Sequence, residues 1–255
     1  MPRRLLDLFC GAGGAAMGYS RVGFTITGVD IKTQKHYPFE FVQGDALEYL
    51  AEHGHEFDVI HASPPCQGYS IMRNLPWLRH KEYQLLIHPT RVLLEASGRE
   101  WVIENVMGAK LPAGWLCGNM FGLPFFRHRY FEASRLLLMP AHGQHRQTIR
   151  AGRMLGNRAA AIVYSEAEDA RGVGSWPGRR GKGEAGSGLT ITHNGAQRVG
   201  VNVGHAAGVG QARAAMGLEY MTRDELAQAI PPAYTEYIGR QLMVQLVVDK
   251  ASTSG

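Results

Sequence analysis

The chain has 255 residues, 45% of them hydrophobic and 19% charged, and a formal net charge of +5. This composition excludes a globally disordered chain, and the length suits one domain with a small insert. Three cysteines, Cys10, Cys66 and Cys117, are too widely spaced for a zinc ribbon and odd in number, which favours a reducing intracellular compartment. We expect no membrane segment, because no apolar run approaches the roughly 20 residues that a span requires.

The positive charge is concentrated in one segment. Residues 1–126 carry 11 basic and 12 acidic side chains (−1), residues 127–213 carry 13 and 5 (+8), and residues 214–255 carry 3 and 5 (−2), which together give +5. The middle segment is also rich in glycine, as in Gly178–Gly183. A solvated, flexible loop and a surface that meets a polyphosphate both fit this composition, and charge alone does not separate them.

Apolar runs separated by glycine, proline and acidic residues predict alternating strands and helices. The predicted strands are 4–9, Thr25–Asp30, Phe39–Gln43, Phe57–Ala62 and Glu100–Ile103. One helix is predicted after the glycine-rich turn at residues 11–14, and the others at Ala46–Ala51, Glu82–Ser97, Met216–Leu226 and Tyr234–Val248. Pro89 should delimit or kink the helix that contains it. This alternation predicts an α/β fold with a largely parallel sheet and a ligand site beyond the carboxyl ends of the strands.

Acidic residues accompany a Gly-x-Gly turn at the ends of the first three predicted strands. The first turn, Asp-Leu-Phe-Cys-Gly-Ala-Gly-Gly over residues 7–14, is by itself a weak indication of a nucleoside site. Asp30 could bind both hydroxyls of a ribose and Asp45 could accept from an adenine amino group, although each is also typical of a turn or helix cap. The absence of a Walker pattern or phosphate-binding lysine favours an adenosyl compound over ATP.

A cysteine follows two prolines at the end of the fourth predicted strand, in Ser63-Pro64-Pro65-Cys66. Proline fixes the backbone directly before the thiol, which is a way to hold a nucleophile rigidly in a cleft. Cys10 and Cys117 lack this context and are expected to be small buried hydrophobes. The sequence therefore indicates Cys66 as the nucleophile.

Taken in order, these motifs resemble those of cytosine-5 DNA methyltransferases, in a compact, phage-like branch. The resemblance rests on the first turn, the Pro-Pro-Cys loop, Glu104-Asn105-Val106, and Phe121–Pro124 followed by Arg127-His128-Arg129; it resumes at Ala229–Tyr234. It implies a Rossmann-like S-adenosylmethionine-dependent methyltransferase sheet in a catalytic core at 1–134. A small basic target-recognition region would occupy 135–212, and 213–255 would return to the core.

The resemblance also implies roles for individual residues. The Cys66 thiolate would attack carbon 6 of a flipped-out cytosine in double-stranded DNA, and carbon 5 would then take a methyl group from S-adenosylmethionine. Glu104 would hydrogen-bond ring N3 and the amino group, and Asn105 would hold the Cys66 loop. One of Arg127 and Arg129 would contact the base while the other supports the site or a phosphate. The cofactor would lie against Phe9, Gly11, Ala12, Gly13, Gly14, Asp30, Ile31, Asp45, Ala46 and Pro64.

Three departures from the family pattern indicate a divergent branch. Phe125 stands where the family usually has glutamine, Gln228-Ala229 stand where Gly-Asn is usual, and Asp30 stands where glutamate is more frequent. None removes a reacting group. We expect a short recognition site, a monomer in a bacterial or phage-infected cytoplasm, and no metal, because the histidines of the basic region lack ligand spacing with cysteines.

Three other functions fit parts of the pattern. An RNA cytosine methyltransferase of the same fold would modify tRNA, and labelled methyl transfer into DNA or tRNA separates the two. A nucleotide-level enzyme similar to thymidylate synthase, which has its own Pro-Pro-Cys site, is disfavoured by the adenosyl motif. A non-catalytic DNA-binding protein is disfavoured by the intact Cys66, Glu104 and paired arginines.

Overall fold

A computed structural model describes residues 2–70, 80–123, 125, 127–143, 147–151, 162–166, 190–193, 196–199 and 209–253. The chain divides into two compact units. The first unit comprises Met1–Cys117, His128–Pro140 and Ala229–Gly255, and the second comprises Gly118–Arg127 and Ala141–Gln228. The sequence places the corresponding changes at residues 135 and 213, and those boundaries stay a prediction.

A seven-stranded sheet forms the centre of the first unit. Its strands are β1 (Arg4–Leu8), β2 (Thr25–Asp30), β3 (Glu40–Gln43), β4 (Val59–Ala62), β5 (Glu100–Asn105), β6 (Gly114–Leu116) and β7 (Arg129–Ala133). They lie in the order β3-β2-β1-β4-β5-β7-β6; the first five are parallel and β7 is antiparallel to both its neighbours. The predicted Rossmann-like α/β fold is confirmed, although the sequence did not indicate β6 and β7.

Helices pack on both faces of this sheet because side chains alternate between the faces along each strand. They are α1 (Gly14–Arg21), α2 (Ala46–His53), α3 (Ile87–Ala96) and α6 (Pro232–Thr253). On one face Leu6 and Leu8 share a buried core with Leu50 of α2 and Leu94 of α3. The opposite face of the sheet meets α1, against which α6 packs.

The first five predicted strands and the helix at Ala46 agree with the structure to within two residues, but the helix predicted at Glu82–Ser97 starts later. Residues 82–86 are not helical, and α3 begins at Ile87. Pro89 therefore lies in the first turn of α3. Its missing N–H breaks no helical hydrogen bond there, so proline delimits this helix instead of kinking it.

The helix predicted at Met216–Leu226 is wrong. Within residues 209–228, which the structure describes throughout, two separate helices replace it, α4 (Val209–Met216) and α5 (Arg223–Gln228). Gly217, with φ +65°, ends the first in a left-handed conformation that favours glycine. Thr222 starts the second with a capping box, in which Thr222 N donates to Glu225 Oε2 at 2.6 Å and Glu225 N donates to Thr222 Oγ1 at 3.4 Å.

The second unit also contains two antiparallel strand pairs that the sequence did not indicate. They are β8 (Gln147–Ala151) with β9 (Ile162–Glu166), and β10 (Thr190–His193) with β11 (Ala196–Val199). The C-terminal helix is confirmed and is longer than predicted, beginning at Pro232 and reaching Thr253. In the described part of the chain, no helix has the length and apolar character needed to cross a membrane.

Candidate active site

Three neighbouring strands bring the predicted motifs to one edge of the sheet. β4 lies between β1 and β5, and all three run in the same direction. Their carboxyl ends therefore meet at the same edge, where open α/β sheets bind ligands. β1 leads into Phe9 and the glycine-rich turn, β4 leads into Ser63 and the Cys66 loop, and β5 ends with Glu104 and Asn105.

The glycine-rich turn has an unusual backbone. Phe9 has φ +56°, a left-handed conformation that is uncommon for a residue with a side chain and that occurs preferentially at functional sites. Gly13 has φ +86° and forms the N-cap of α1. Among the described residues, and apart from its own chain neighbours, none has an atom within 4 Å of the point where a Cβ on Gly11 would be. The turn therefore borders open space in which a ligand could approach the backbone.

Asp30 ends β2, and backbone N–H groups hold its carboxylate in place. Gly11 N donates to Oδ2 at 3.0 Å and Lys32 N donates to Oδ1 at 2.9 Å. A carboxylate oxygen accepts more than one hydrogen bond, so both oxygens keep acceptor capacity while their positions are fixed. A pair of vicinal hydroxyls suits such an oriented carboxylate. The side chain of the adjacent Ile31 is 66% exposed and could pack on the same ligand.

Asp45 combines a structural contact with spare acceptor capacity. Its Oδ1 caps α2 by accepting from Leu47 N at 2.8 Å and from Glu48 N at 3.1 Å. Its Oδ2 accepts no hydrogen bond from any residue that the structure describes. The helix-cap explanation and the adenine-amine hypothesis are therefore compatible, because they use different oxygens of one carboxylate.

The small residues predicted at the cofactor site are buried. Ala12, Gly14, Ala46 and Pro64 all have this property. A Cβ on Gly14 would lie 2.6 Å from Ile230 O, so this glycine lets the C-terminal segment pack on α1. The structure thus gives Gly14 a packing role, and the contact of all four residues with a cofactor stays a prediction.

The three cysteines differ in accessibility as expected. Cys10 and Cys117 are buried, whereas Cys66 is half-buried. Burial raises the pKa of the Cys10 thiol far above its ordinary value, and the nearby carboxylates of Asp7 and Asp30 raise it further. Cys10 therefore stays a neutral, unreactive thiol, and Cys66 is the sulfur that a ligand can reach.

Contacts on both sides of the thiol fix the loop that carries Cys66. Cys66 O accepts from Tyr69 N at 3.0 Å, which closes a tight turn. Before the turn, Asn105 Nδ2 donates to Pro64 O at 2.8 Å. After it, Gly108 lies so close to the carbonyl oxygen of Tyr69 that any Cβ at this position would overlap that atom. Asn105 thus makes a contact of the kind that the family resemblance implies.

A buried ion pair lies at the end of β5. Glu104 Oε1 and Arg129 Nε are 2.9 Å apart, and their side chains are only 6% and 17% exposed. Glu104 lies in β5 and Arg129 opens β7, the neighbouring antiparallel strand. Electrostatic interactions are stronger in such a poorly hydrated position. A carboxylate acceptor beside a guanidinium donor suits recognition of the polar edge of a heterocycle.

Arg127 and Phe125 belong to the second unit. Arg127 is 8% exposed, and its Nη2 donates to Ala227 O at 2.6 Å. Phe125 is 1% exposed and packs against Gly118. The aromatic residue that replaces the usual glutamine is therefore a core residue of this unit. The predicted contact of Arg127 with a base or phosphate stays a prediction.

The N-terminal part of the sequence is similar to known proteins. Residues 3–113 match the model of the family described as C-5 cytosine-specific DNA methylase. We refer to residues 3–113 as the methylase segment. Type II methyltransferase M.XorII of Xanthomonas oryzae pv. oryzae is 33% identical over 119 residues, 40% of this chain and 28% of the relative. Type II methyltransferase M.FnuDI of Fusobacterium nucleatum is 31% identical over 112 residues, 41% of this chain and 33% of the relative.

The chain spans about a third or less of the length of these two curated relatives, 28% and 33%. A solved structure of a putative DNA modification methyltransferase encoded within a prophage of E. coli is 26% identical, with a TM-score of 0.39, over 51% of this chain and 45% of that one. The family model and the two curated relatives confirm the predicted family for the methylase segment. Cys66, Glu104 and Asn105 lie inside this segment, whereas Arg127 and Arg129 lie beyond its end.

Two buried polar residues of the methylase segment were not selected from the sequence. Asp7 is 1% exposed, and this burial raises its pKa well above the ordinary 3.8. A hydrogen bond from Tyr37 lowers the pKa of Asp7, whereas the negative charge of Asp30 raises it. Asp7 Oδ1 is buried and accepts no hydrogen bond from any described residue. His61 is fully buried in β4. Both interrupt strands that a parallel sheet normally makes apolar, and that interruption was the available signal.

Proposed function

We propose that the chain is a DNA (cytosine-5)-methyltransferase that uses S-adenosylmethionine to methylate a flipped-out cytosine in duplex DNA at a short site. One observation carries the proposal: a rigidly held Cys66 loop and the Glu104–Arg129 ion pair end adjacent strands of the sheet, next to the glycine-rich turn. The family of the methylase segment and the printed names of its type II relatives support it.

The residues at the ends of β1, β2 and β3 fit S-adenosylmethionine. Asp30 presents two oriented oxygens to the ribose hydroxyls, and Asp45 Oδ2 can accept from the adenine amino group. Gly11 leaves open space beside the turn, and Phe9 and Ile31 offer apolar side chains that could pack on an adenine ring. When bound, S-adenosylmethionine supplies an electrophilic methyl group on a sulfonium centre.

Cys66 makes the cytosine ring nucleophilic. Its thiolate sulfur forms a bond to carbon 6, and the electron pair of the C5–C6 double bond moves through the ring towards N3. With its carboxyl protonated when the base is bound, Glu104 donates a hydrogen bond to N3 and accepts one from the amino group. The donated proton stabilises the charge developing at N3, and Arg129 keeps the Glu104 carboxyl oriented. Carbon 5 then takes the methyl group, the bond between that methyl and the sulfonium sulfur breaks, and S-adenosylhomocysteine is the leaving group. Loss of the carbon-5 proton to a base and expulsion of the Cys66 thiolate restore both the aromatic ring and the enzyme.

Duplex DNA is the substrate in this proposal. A stacked cytosine cannot reach a thiol held at the edge of a sheet, so the base has to leave the helix. The basic segment 127–213, with its net charge of +8, would neutralise backbone phosphates. We place target recognition in residues 135–212; a region of this size presents few base-edge contacts, which favours a short site.

Transfer of a labelled methyl group tests the proposal. The purified chain is incubated with tritiated S-adenosylmethionine and either duplex DNA or tRNA, and the digested nucleosides are separated. We expect label in 5-methyldeoxycytidine, none after Cys66→Ala, and normal transfer after Cys117→Ala, which also removes one thiol but from a buried position. Label in tRNA alone, or undiminished transfer by Cys66→Ala, would refute the proposal.

A further inference from the structure

Three polar side chains form a hydrogen-bonded chain through the interior of the first unit. His61 lies in β4 and is fully buried. Its Nδ1 is 3.0 Å from the hydroxyl oxygen of Tyr19 in α1, and its Nε2 is 2.9 Å from Ser63 Oγ. This series of hydrogen bonds therefore runs from α1, the helix that follows the glycine-rich turn, to Ser63, the first residue of the Cys66 loop.

Burying a histidine at this position destabilises the fold unless its ring nitrogens are hydrogen-bonded. β4 is an inner strand of the parallel part of the sheet, where apolar residues are usual on both faces. Burial without hydrogen bonds would destabilise the fold, so both ring nitrogens need partners. Burial also lowers the pKa of His61 from 6.5 to about 3, which keeps the imidazole neutral. A neutral ring accepts at one nitrogen and donates from the other, and so links the two hydroxyls in either tautomer.

The hydrogen bonds made by Ser63 fix the start of the Cys66 loop. Ser63 N donates to Leu8 O of β1 at 3.1 Å, while Ser63 Oγ is held by His61 of β4. The next residue, Pro64, is held through its carbonyl oxygen by Asn105 of β5. Three adjacent strands thus anchor two consecutive residues of the loop.

The two prolines carry this anchoring forward to the thiol. Pro64 and Pro65 have fixed φ angles, so few backbone rotations remain between Ser63 and Cys66. A small displacement of Ser63 is therefore transmitted to the sulfur, and misplacement of a reacting atom by about 1 Å can cost a hundredfold in rate.

We propose that His61 is a positioning residue that acts through Ser63 to set the place of Cys66, with Tyr19 orienting the imidazole ring. The inference rests on the proposed function for its effect on methyl transfer, whereas its effect on the loop does not depend on any activity. Neither His61 nor Tyr19 touches the reacting atoms.

Two amide substitutions separate the two ends of the imidazole. The glutamine amide of His61→Gln reaches the place of Nε2 and keeps the bond to Ser63. The amide of His61→Asn reaches the place of Nδ1 and keeps only the bond to Tyr19. We expect His61→Gln to retain kcat within about threefold and His61→Asn to lose roughly tenfold or more, with KM for DNA unchanged. Equal kcat values in the two folded variants would overturn the inference.

Substitutions at the half-buried Ser63 test the inference without changing a residue of the buried core. Ser63→Ala should lower kcat like His61→Asn, and Ser63→Thr, which keeps the hydroxyl, should restore it. The double variant His61→Asn/Ser63→Ala should be no slower than either single variant, because both remove one interaction. Ser134→Ala is the matched control: it removes a hydroxyl that accepts from Trp101 N at 2.9 Å, near the start of β5 and remote from the loop. Fully additive losses would contradict action through Ser63.

Amide hydrogen exchange tests the inference without using activity. The N–H groups of Tyr69 and Ser70 donate to Cys66 O and report the order of the loop. We expect faster exchange there in Ser63→Ala and His61→Asn, and unchanged exchange in His61→Gln and Ser134→Ala. Unchanged exchange in all four would refute the positioning role. If the four variants show the predicted exchange pattern but the wild-type protein transfers no methyl group, the positioning role stands and the proposed function is refuted.

Discussion

Acidification should destabilise the folded chain through His61. The folded state keeps the imidazole neutral down to about pH 3, because burial lowers its pKa from 6.5 to about 3. The unfolded chain takes up a proton below its ordinary value of 6.5, so stability falls with decreasing pH across that interval. The loss amounts to about 1.4 kcal/mol per pH unit, or about 2.7 kcal/mol between pH 7.5 and pH 4.5.

Urea unfolding at a series of pH values measures this slope, and His61→Gln supplies the reference because glutamine does not titrate. Asp7, whose pKa is raised by burial, acts in the opposite direction, since its stabilising protonation begins at higher pH in the folded state. Asp7 is common to both proteins, and its contribution cancels in the difference. We expect the variant to lose about 2.7 kcal/mol less than the wild type over this range. Parallel stability curves for the two proteins would refute the assignment of a buried, neutral His61.

Three further predictions concern the cofactor side, the loop and the packing of the helices. Asp45→Ser keeps a helix cap but removes the carboxylate. It should therefore weaken S-adenosylmethionine binding in calorimetry, while the free energy of unfolding changes by only a few tenths of a kcal/mol. Asp45→Ala also removes the cap, so it should weaken binding and lower the free energy of unfolding by about 1 kcal/mol. Asn105→Ala should lower single-turnover methyl transfer roughly tenfold without weakening cofactor binding, since it removes the bond to Pro64 O in the loop and the bond from Val106 N, and neither involves Asp30 or Asp45. Gly18→Ala would place a methyl group against the hydroxyl of Thr235 and should cost about 1–3 kcal/mol, while Gly44→Ala, which meets no atom within 4 Å, should leave the unfolding midpoint nearly unchanged.

The sheet could be predicted from the sequence where local patterns were strong. β1 to β5 are apolar runs that end at glycine, proline or acidic residues, and each was predicted to within two residues. β6 and β7 are short strands of three and five residues; they pair with each other, and β7 also pairs with β5, which lies before both in the chain. Neither carries enough alternation to be recognised alone. The error at Met216–Leu226 has a local cause, because the Gly217 stop and the Thr222 capping box both lie inside an apparently continuous helical pattern.

At the candidate site, too, local sequence motifs could be predicted, whereas contacts between residues far apart in the sequence could not. Cys66, Glu104 and Asn105 were identified because their neighbours in the sequence form recognisable motifs. The link between Tyr19 and His61 joins residues 42 positions apart and exists only because α1 covers β4. No local pattern contains that contact, although a histidine in an otherwise apolar strand was a visible anomaly.

Covalent trapping of Cys66 on DNA tests the central claim most directly. A duplex in which the target cytosine carries fluorine at carbon 5 has no proton to lose there, so the methylated adduct cannot eliminate the thiolate. With S-adenosylmethionine present, we expect the wild-type protein to form a denaturation-resistant complex whose cross-linked peptide contains Cys66, Cys117→Ala to do the same, and Cys66→Ser to form none. A wild-type protein that methylates unmodified DNA but yields no adduct on the fluorinated duplex, or an adduct that survives Cys66→Ser, would contradict the account.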